Sequence, residues 1–234
     1  MAKSVTLSAM ILSAREAADM VGSAFVTDAE VTSLINTYVA ELYDLLVQSY
    51  GPAFYADSYT FVTVAQQREY GLPTGANEGA DLYQLLGVDV DLGSGDIVSA
   101  KPFDFFSRNR YAGSASYASG EPVYYRLHGS QIWLIPTPAT ALSVTIHYIP
   151  AAPTLSSSGV SSFDGINGWE RFVVVSAAIA MLQKEESDPS VYMAERQSLI
   201  ARITALSKNR DAGMPDRIVD VRGRGRRRCG GFDL

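Results

Sequence analysis

Residues 27–52 read TDAEVTSLINTYVAELYDLLVQSYGP, and the rest of the 234-residue chain is organised around this stretch. Thr27 and Glu30 have the spacing of a capping box, and Gly51-Pro52 ends the pattern. Between them, apolar residues recur at three- and four-residue intervals, which lines one face of a helix. They are Val31, Leu34, Ile35, Tyr38, Val39, Leu42, Leu45 and Leu46. The stretch therefore predicts a long helix whose apolar face is buried.

Three further segments carry helical patterns. A weaker helix precedes residue 22, with apolar residues along one side. These are Leu7, Met10, Ile11, Ala14, Ala18 and Val21. A third helix is predicted with Asn167 as its N-cap and with the Glu170 side chain bonded back to the cap residue. A fourth is predicted with Asp188 as its N-cap and Pro189 in its first turn. Because each helix has an apolar face, we expect all four to form one bundle.

Between residues 54 and 150 the pattern changes to that of β-strands. We predict strands at the β-prone or alternating runs. These runs are 59–64, 85–92, 123–127, 131–135 and 142–149. His128-Gly129-Ser130 predicts a hairpin, Gly93-Ser94-Gly95-Asp96 predicts a tight turn, and residues 107–121 predict a mobile or partner-facing loop.

The predicted fold class is α+β, with a four-helix bundle core, a large β-strand insertion between helices 2 and 3, and an extended C-terminal arm. Four units follow from this order of elements. They are a helical bundle domain (residues 5–52 and 163–210), a β-rich insertion domain (53–150), a linker (151–162) and a basic arm (211–234).

Charge separates the arm from the body of the chain. Residues 217–234 carry a net charge of +4, which leaves −10 on the other 216 residues of a chain whose total is −6. The arginines of the arm are Arg217, Arg222, Arg224, Arg226, Arg227 and Arg228. An acidic body repels phosphate, which argues against a folded part that coats or reads a duplex.

No catalytic, cofactor or metal constellation is predicted. His128 and His147 are the only histidines and Cys229 is the only cysteine, so the ligand spacing of a metal site is missing. No apolar run approaches the roughly 20 residues that cross a bilayer, and the first residues lack the apolar core of a signal peptide. We therefore expect a cytoplasmically synthesised protein that is not an enzyme and needs no cofactor.

Six short segments, taken in order, resemble the head-to-tail adaptor (connector) proteins of tailed bacteriophages. They read FVTDAE (25–30), ELYDLL (41–46), KPFDFF (101–106), WLIPTP (133–138), DGINGWE (164–170) and KEESD (184–188). The resemblance covers roughly residues 5–222. It implies a structural virion protein of the neck region, made in the host bacterial cytoplasm. Such proteins form a ring, usually dodecameric, beneath the portal, with a tail nozzle, tube or stopper protein on the other side and genomic DNA passing through the lumen.

Two sets of contact residues follow from these expectations. The arginines of the arm, with Phe232 as an apolar anchor, are predicted to dock on the portal protein. Tyr111, Tyr117, Tyr124 and Tyr125 are predicted to contact the tail partner, because tyrosine is enriched at interfaces. An acidic lumen would let packaged DNA slide.

Alternative interpretations stay open from sequence alone. The chain could be another neck or tail-completion protein that attaches below the adaptor ring. It could instead be a nucleic-acid-binding factor that uses the arginine-rich tail, with binding that weakens steeply with salt. The arm itself could contact genome phosphates or be a solvated tail without a role.

Overall fold

A computed structural model describes residues 4–51, 55–74, 81–93, 95–104, 106, 123–156, 162–164 and 168–207. The helices are α1 (Leu7–Ala17), α2 (Asp28–Tyr50), α3 (Glu170–Lys184) and α4 (Ser190–Ser207). The strands are β1 (Ser4–Thr6), β2 (Asp57–Val62), β3 (Glu69–Gly71), β4 (Leu82–Asp91), β5 (Ile97–Ser99), β6 (Lys101–Pro102), β7 (Tyr124–His128), β8 (Gln131–Ile135), β9 (Ser143–Pro150) and β10 (Ser162–Asp164). Within the described ranges, no helix combines the length and apolarity that a membrane span requires.

Helix α2 begins and ends as its sequence predicts. The Thr27 hydroxyl accepts from the Glu30 backbone N–H at 3.3 Å, and the Glu30 carboxylate accepts from the Thr27 N–H at 2.8 Å. Gly51 is the C-cap, with φ of 82°. Two otherwise unpaired N–H groups at the helix start are thus satisfied. The predicted capping box is confirmed.

Helix α3 is the centre of the helical core. It has consecutive buried residues instead of one buried stripe: Phe172, Val173, Val174, Val175, Ser176, Ala177, Ala178 and Ile179, with Met181 one residue further on. Trp169 is the N-cap and makes no side-chain cap bond, whereas the predicted cap, Asn167, lies outside the described residues. Helices α1, α2 and α4 all pack against α3.

The prediction of a four-helix bundle core is wrong. A bundle needs four helices that each contribute a comparable stripe to one shared interior. Here α3 is buried nearly all round, α1 has only 11 residues, and the buried apolar residues of α4 are Leu199 and Ile203. Val21, predicted to lie on the buried side of the first helix, is 62% exposed because α1 ends at Ala17. The α+β class itself is correct.

Two four-stranded sheets form the β region. The first has the strand order β2-β9-β4-β5, and the second has the order β3-β8-β7-β6. All their pairs are antiparallel except β6 with β7. A separate short pair joins β1 to β10 beside the helices. The predicted hairpin is confirmed, since Gly129 and Ser130 link β7 to β8 with Gly129 in the left-handed region.

Both sheets contribute to one apolar core. Alternate residues of each strand point inward, as period-2 sequence requires. The buried residues are Val88, Val90, Val144, Ile146 and Tyr148 from the first sheet, and Tyr70, Ile132 and Leu134 from the second, with Ala100 and Val123 beside them. The two sheets therefore pack face to face, and each has an outer face, although Ile135 on the outer side of the second sheet is itself buried.

Helix α2 connects the two cores. The Tyr43 hydroxyl donates to the Pro150 carbonyl at 2.6 Å, and its ring lies 5.1 Å from that of Tyr55. The Asn36 amide accepts from the Leu155 N–H at 2.8 Å and donates to the Leu155 carbonyl at 2.9 Å. The chain leaving β9 is thus fixed to α2 at two points. The proposed division into domains at residues 53, 151 and 163 stays a prediction.

Candidate assembly surfaces

Most of the predicted contact residues lie outside the described part of the chain. This holds for the six arginines of the arm, for Phe232, and for Tyr111 and Tyr117. Tyr124 is half-buried, with its ring 5.7 Å from that of Phe103. Tyr125 is half-buried against the β core. Whether either tyrosine contacts a tail partner stays a prediction.

Helix α4, which precedes the arm in the chain, is held to the other helices by ion pairs as well as by the buried side chains of Leu199 and Ile203. Arg171 of α3 makes two hydrogen bonds to the Glu195 carboxylate, at 2.7 and 2.9 Å. Arg196 donates to the Ser176 hydroxyl at 3.0 Å and also to the Glu41 carboxylate of α2. Forked guanidinium bonds of this kind fix orientation as well as adding energy. The C-terminal end of α4 therefore has a defined position from which the arm starts.

The end of the helical region away from the sheets is rich in carboxylates. Exposed acidic side chains there are Glu16, Asp19, Glu30, Glu185, Glu186 and Asp188. Lys184 donates to the Glu30 carboxylate at 2.8 Å, and this bond, with those from Thr27, lowers the Glu30 pKa to about 2. Hydrogen bonds from Ser190 lower the Asp188 pKa. Both shifts keep the carboxylates of Glu30 and Asp188 charged at physiological pH.

A single guanidinium organises the loop between α1 and α2. Arg15 is almost fully buried and donates to the carbonyls of Met20, Ser23 and Val26 at 3.2, 3.1 and 2.6 Å. It also pairs with the Asp28 carboxylate at 2.7 Å. The Met20 carbonyl also accepts from the Ser23 N–H at 3.1 Å, so the Arg15 guanidinium adds a second bond there and supplies a donor to the carbonyls of Ser23 and Val26. Arg15 is thus a structural residue of the acidic end, and the sequence analysis did not identify it.

The outer face of the first sheet combines carboxylates with hydroxyls, and we call it the acidic face. In it, the Asp89 carboxylate accepts from the Ser99 hydroxyl at 2.7 Å and lies 3.0 Å from His147 Nε2. Thr60 and Thr145 are bonded to each other across neighbouring strands at 3.0 Å. The face consists of Ser58, Thr60, Val62, Ser143, Thr145, His147, Asp89, Asp91, Ile97 and Ser99.

The outer face of the second sheet combines aromatic rings with cations, and we call it the cationic face. It consists of Arg68, Arg126 and Trp133, which are half-buried, and of Glu69, Lys101 and His128, which are exposed. The Trp133 ring lies 4.4 Å from that of His128, and the Arg68 guanidinium lies 4.5 Å from the Trp133 ring centroid. Trp133 is opposite Arg126 on one neighbouring strand and Glu69 on the other. Lys101, on the edge strand, is exposed. Stacked guanidinium and indole groups are typical of protein interfaces.

Both histidines lie in strands: His128, expected in the hairpin connection, is the last residue of β7, and His147 lies within β9. The described residues contain no group of three or more His, Cys, Asp or Glu side chains that could hold a metal ion. A polar cleft of about 360 Å³ lies where α2, α3 and α4 meet, with Arg196 in its wall.

Arg68, His128 and Trp133 form a group that we call the Trp133 cluster. The sequence analysis missed it, although the alternation of side chains along β8 already puts Trp133 on the side opposite Ile132 and Leu134.

Comparison with known proteins gives one family. The family model described as SU10 adaptor protein matches residues 5–222, which includes every helix and strand except the first residue of β1. A search of curated proteins finds no relative that matches the chain.

Proposed function

The chain belongs to the SU10 adaptor protein family of phage head-to-tail adaptors, and from this we propose that it forms a ring of about twelve copies between portal and tail. The match over residues 5–222 carries the proposal, because it spans the helical region, both sheets and the first arginines of the arm. Membership of this family makes the protein a structural component of the phage particle.

The ring is proposed to continue the channel through which DNA leaves the capsid. Residues 1–216 carry a net charge of −10, and the end of the helical region away from the sheets presents carboxylates to solvent. A negatively charged lumen would repel DNA phosphates and so prevent the genome from adhering to the wall. A ring whose lumen is lined mainly by Lys and Arg would contradict this part of the proposal.

The arm is proposed to attach each copy to the portal protein. It continues from Ser207, at the end of a helix fixed by the Arg171–Glu195 and Arg196–Glu41 pairs. The 27 residues from 208 to 234 could extend up to about 90 Å, at roughly 3.3 Å per residue, so they can reach well beyond their own subunit. Guanidinium groups suit acidic or backbone acceptors on a partner, and Phe232 supplies an apolar anchor.

The opposite side of the ring is proposed to receive a tail nozzle, tube or stopper protein. Tyr111, Tyr117, Tyr124 and Tyr125 are the candidate contacts, since all four belong to the β region or its long connection between β6 and β7. Amphipathic aromatic side chains contribute contact area and a hydrogen bond together.

The decisive experiment measures the native mass of the portal ring of the same phage before and after addition of the full-length chain. We expect the mass to rise by about twelve chains per ring. A chain truncated after residue 214 should keep its helical and β signals but fail to bind. Normal attachment of the truncated chain would disprove the role of the arm, and no attachment of the full chain would disprove the adaptor position.

Two arm variants separate portal binding from binding of nucleic acid. Replacement of the six arginines by lysine keeps the charge but loses forked hydrogen bonding, so portal attachment should fall while any nonspecific DNA binding persists. Replacement by glutamine should abolish both. DNA binding that weakens steeply with salt, without any portal attachment, would support the nucleic-acid-binding alternative.

A further inference from the structure

The two sheets of the β region differ in charge. The strands of the first sheet contain Asp57, Asp89 and Asp91 and no lysine or arginine. The strands of the second sheet contain Lys101 and Arg126 against Glu69 alone, and Arg68 comes immediately before β3. In a chain whose body is strongly acidic, this is a local excess of positive charge. The charges are therefore segregated between the sheets.

The segregated charges point away from each other. Val88 and Val90 point into the shared core, so Asp89, between them in β4, points outward from the first sheet. Ile132 and Leu134 point into the same core, so Trp133, with Arg126 opposite it, lies on the outer side of the second sheet. The acidic face and the cationic face thus lie on opposite sides of one sandwich.

Two exposed aliphatic side chains accompany the carboxylates of the acidic face. Val62 and Ile97, on the two edge strands, are each 65% exposed. Together with Ser143 and Asp91, they form one row across all four strands of the first sheet. Single exposed aliphatic residues are common on protein surfaces. Here an aliphatic side chain lies at each edge of the row and the Asp91 carboxylate lies between them. A partner with a flat surface could cover the whole row.

A ring of identical subunits needs two different surfaces on each copy that fit one another, because its contact is heterologous and repeats by rotation. We propose that the acidic face of one copy packs against the cationic face of the next copy in the ring. Asp89 and Asp91 then lie opposite Arg68, Lys101 and Arg126 of the neighbour, and the Trp133 cluster covers the aliphatic row. This proposal rests on the proposed ring and names the surfaces that close it.

Opposite charges across such a contact favour one orientation of the neighbour and disfavour the others. Two acidic faces or two cationic faces brought together would repel, which excludes a symmetric dimer through either surface. The hydroxyls of the acidic face can also bond to the nitrogen donors of the cationic face. Because the contact is rich in charged and polar side chains, it suits copies that assemble on a portal template better than copies that associate alone.

Pairwise cross-linking tests the contact. All variants carry Cys229→Ser in the full-length chain, which removes the native cysteine. One chain then carries Ile97→Cys on the acidic face, and a second, of different length through a tag, carries Lys101→Cys on the cationic face. The chains are mixed, bound to portal rings and treated with a short bis-maleimide. Each chain has one cysteine, so any product joins two copies. A third chain with Glu16→Cys on α1 is the matched control.

We expect the mixed pair to give a heterodimer that is lost when either chain is used alone or when Glu16→Cys replaces Ile97→Cys. Peptide mapping should join residue 97 to residue 101. Rings of full mass without this product, or with products from Ile97→Cys chains alone, would overturn the proposed contact and leave the adaptor ring intact. Absence of any bound ring would overturn the ring and this contact together.

A charge variant tests the electrostatic basis. Lys101→Glu places a carboxylate opposite Asp89 and Asp91, and the chain concentration for half-maximal ring assembly should rise about tenfold or more. Lys101→Arg, which keeps the charge, should assemble as the unchanged chain does. Assembly of Lys101→Glu at the same concentration as Lys101→Arg would contradict the proposal, provided that both variants show the same thermal unfolding.

Discussion

The helical region and the β region are built on different principles. In the helical region, one helix is buried nearly all round, and single side chains such as Arg15 and Asn36 fix the neighbouring loops. In the β region, backbone pairing holds the strands, and the outer side chains are left for charge and aromatic contact. The comparison teaches that single side chains of the helical region should control stability, whereas outer side chains of the sheets should control assembly.

The largest effect should come from the central helix. Phe172→Ala removes a fully buried ring that also lies 5.2 Å beneath the Arg196 guanidinium, and the free energy of unfolding should fall by about 3–5 kcal/mol. Lys101→Glu, on the outer side of the second sheet, should change it by no more than about 0.5 kcal/mol. Urea unfolding followed by circular dichroism measures both. If Phe172→Ala and Lys101→Glu lowered the free energy of unfolding by similar amounts, the proposed difference between the helical and β regions would be wrong.

Arg15 gives the next largest expected effect. Arg15→Met keeps much of the apolar stem but removes the ion pair with Asp28 and the donor to the buried Val26 carbonyl, so stability should fall by about 2–4 kcal/mol. Arg15→Lys keeps the charge but loses the forked hydrogen bonds, so its stability should lie between that of the unchanged chain and that of Arg15→Met. Thermal unfolding of the unchanged chain and the two variants measures their order of stability. A Met variant as stable as the unchanged chain would show that the α1–α2 loop does not depend on this residue.

Sequence reasoning succeeded where structure is local. The capping box of Thr27 and Glu30 and the Gly129-Ser130 hairpin depend on residues within a few positions of each other, so their patterns determine them. The prediction of a four-helix bundle failed because the spacing of apolar residues shows that a helix has an apolar face, but not which helix lies at the centre. The apolar run of α3, residues 172–181, which only Ser176 interrupts, is the signal of a helix that is surrounded on all sides.

The candidate surfaces were less predictable for the same reason. Arg68, His128 and Trp133 come together only after β3, β7 and β8 have paired, and Asp89 meets His147 across 58 residues of sequence. The alternation along a strand shows on which side of the sheet each side chain lies. The net charge of a whole face, however, can be worked out only when the order of the strands is known. The short strands β3, β5 and β6 were also not predicted, because two or three residues carry too little pattern.

The junction between the regions gives a smaller effect. Tyr43→Phe removes the hydrogen bond to the Pro150 carbonyl while keeping the ring contacts with Tyr55 and Tyr83, so stability should fall by about 1 kcal/mol. If the bond couples the cores, helix-sensitive and sheet-sensitive signals should unfold together in the unchanged chain and less closely in the variant. No change in either quantity would show that the Tyr43 hydrogen bond does not couple the regions.

The smallest effect is expected at the exposed Glu30–Lys184 pair and appears as a pH dependence. Lys184 and Thr27 hold the folded-state pKa of Glu30 at about 2, below its ordinary value of 4.5. The folded state therefore binds fewer protons, so this stabilisation is complete above about pH 4.5 and is lost as the pH falls towards 2. Glu30→Gln can still cap Thr27 but cannot pair with Lys184 as a charge. The difference in stability between the two chains should hence shrink in that window, whereas parallel pH profiles from 5 to 2 would show that the pair contributes nothing to the free energy of folding.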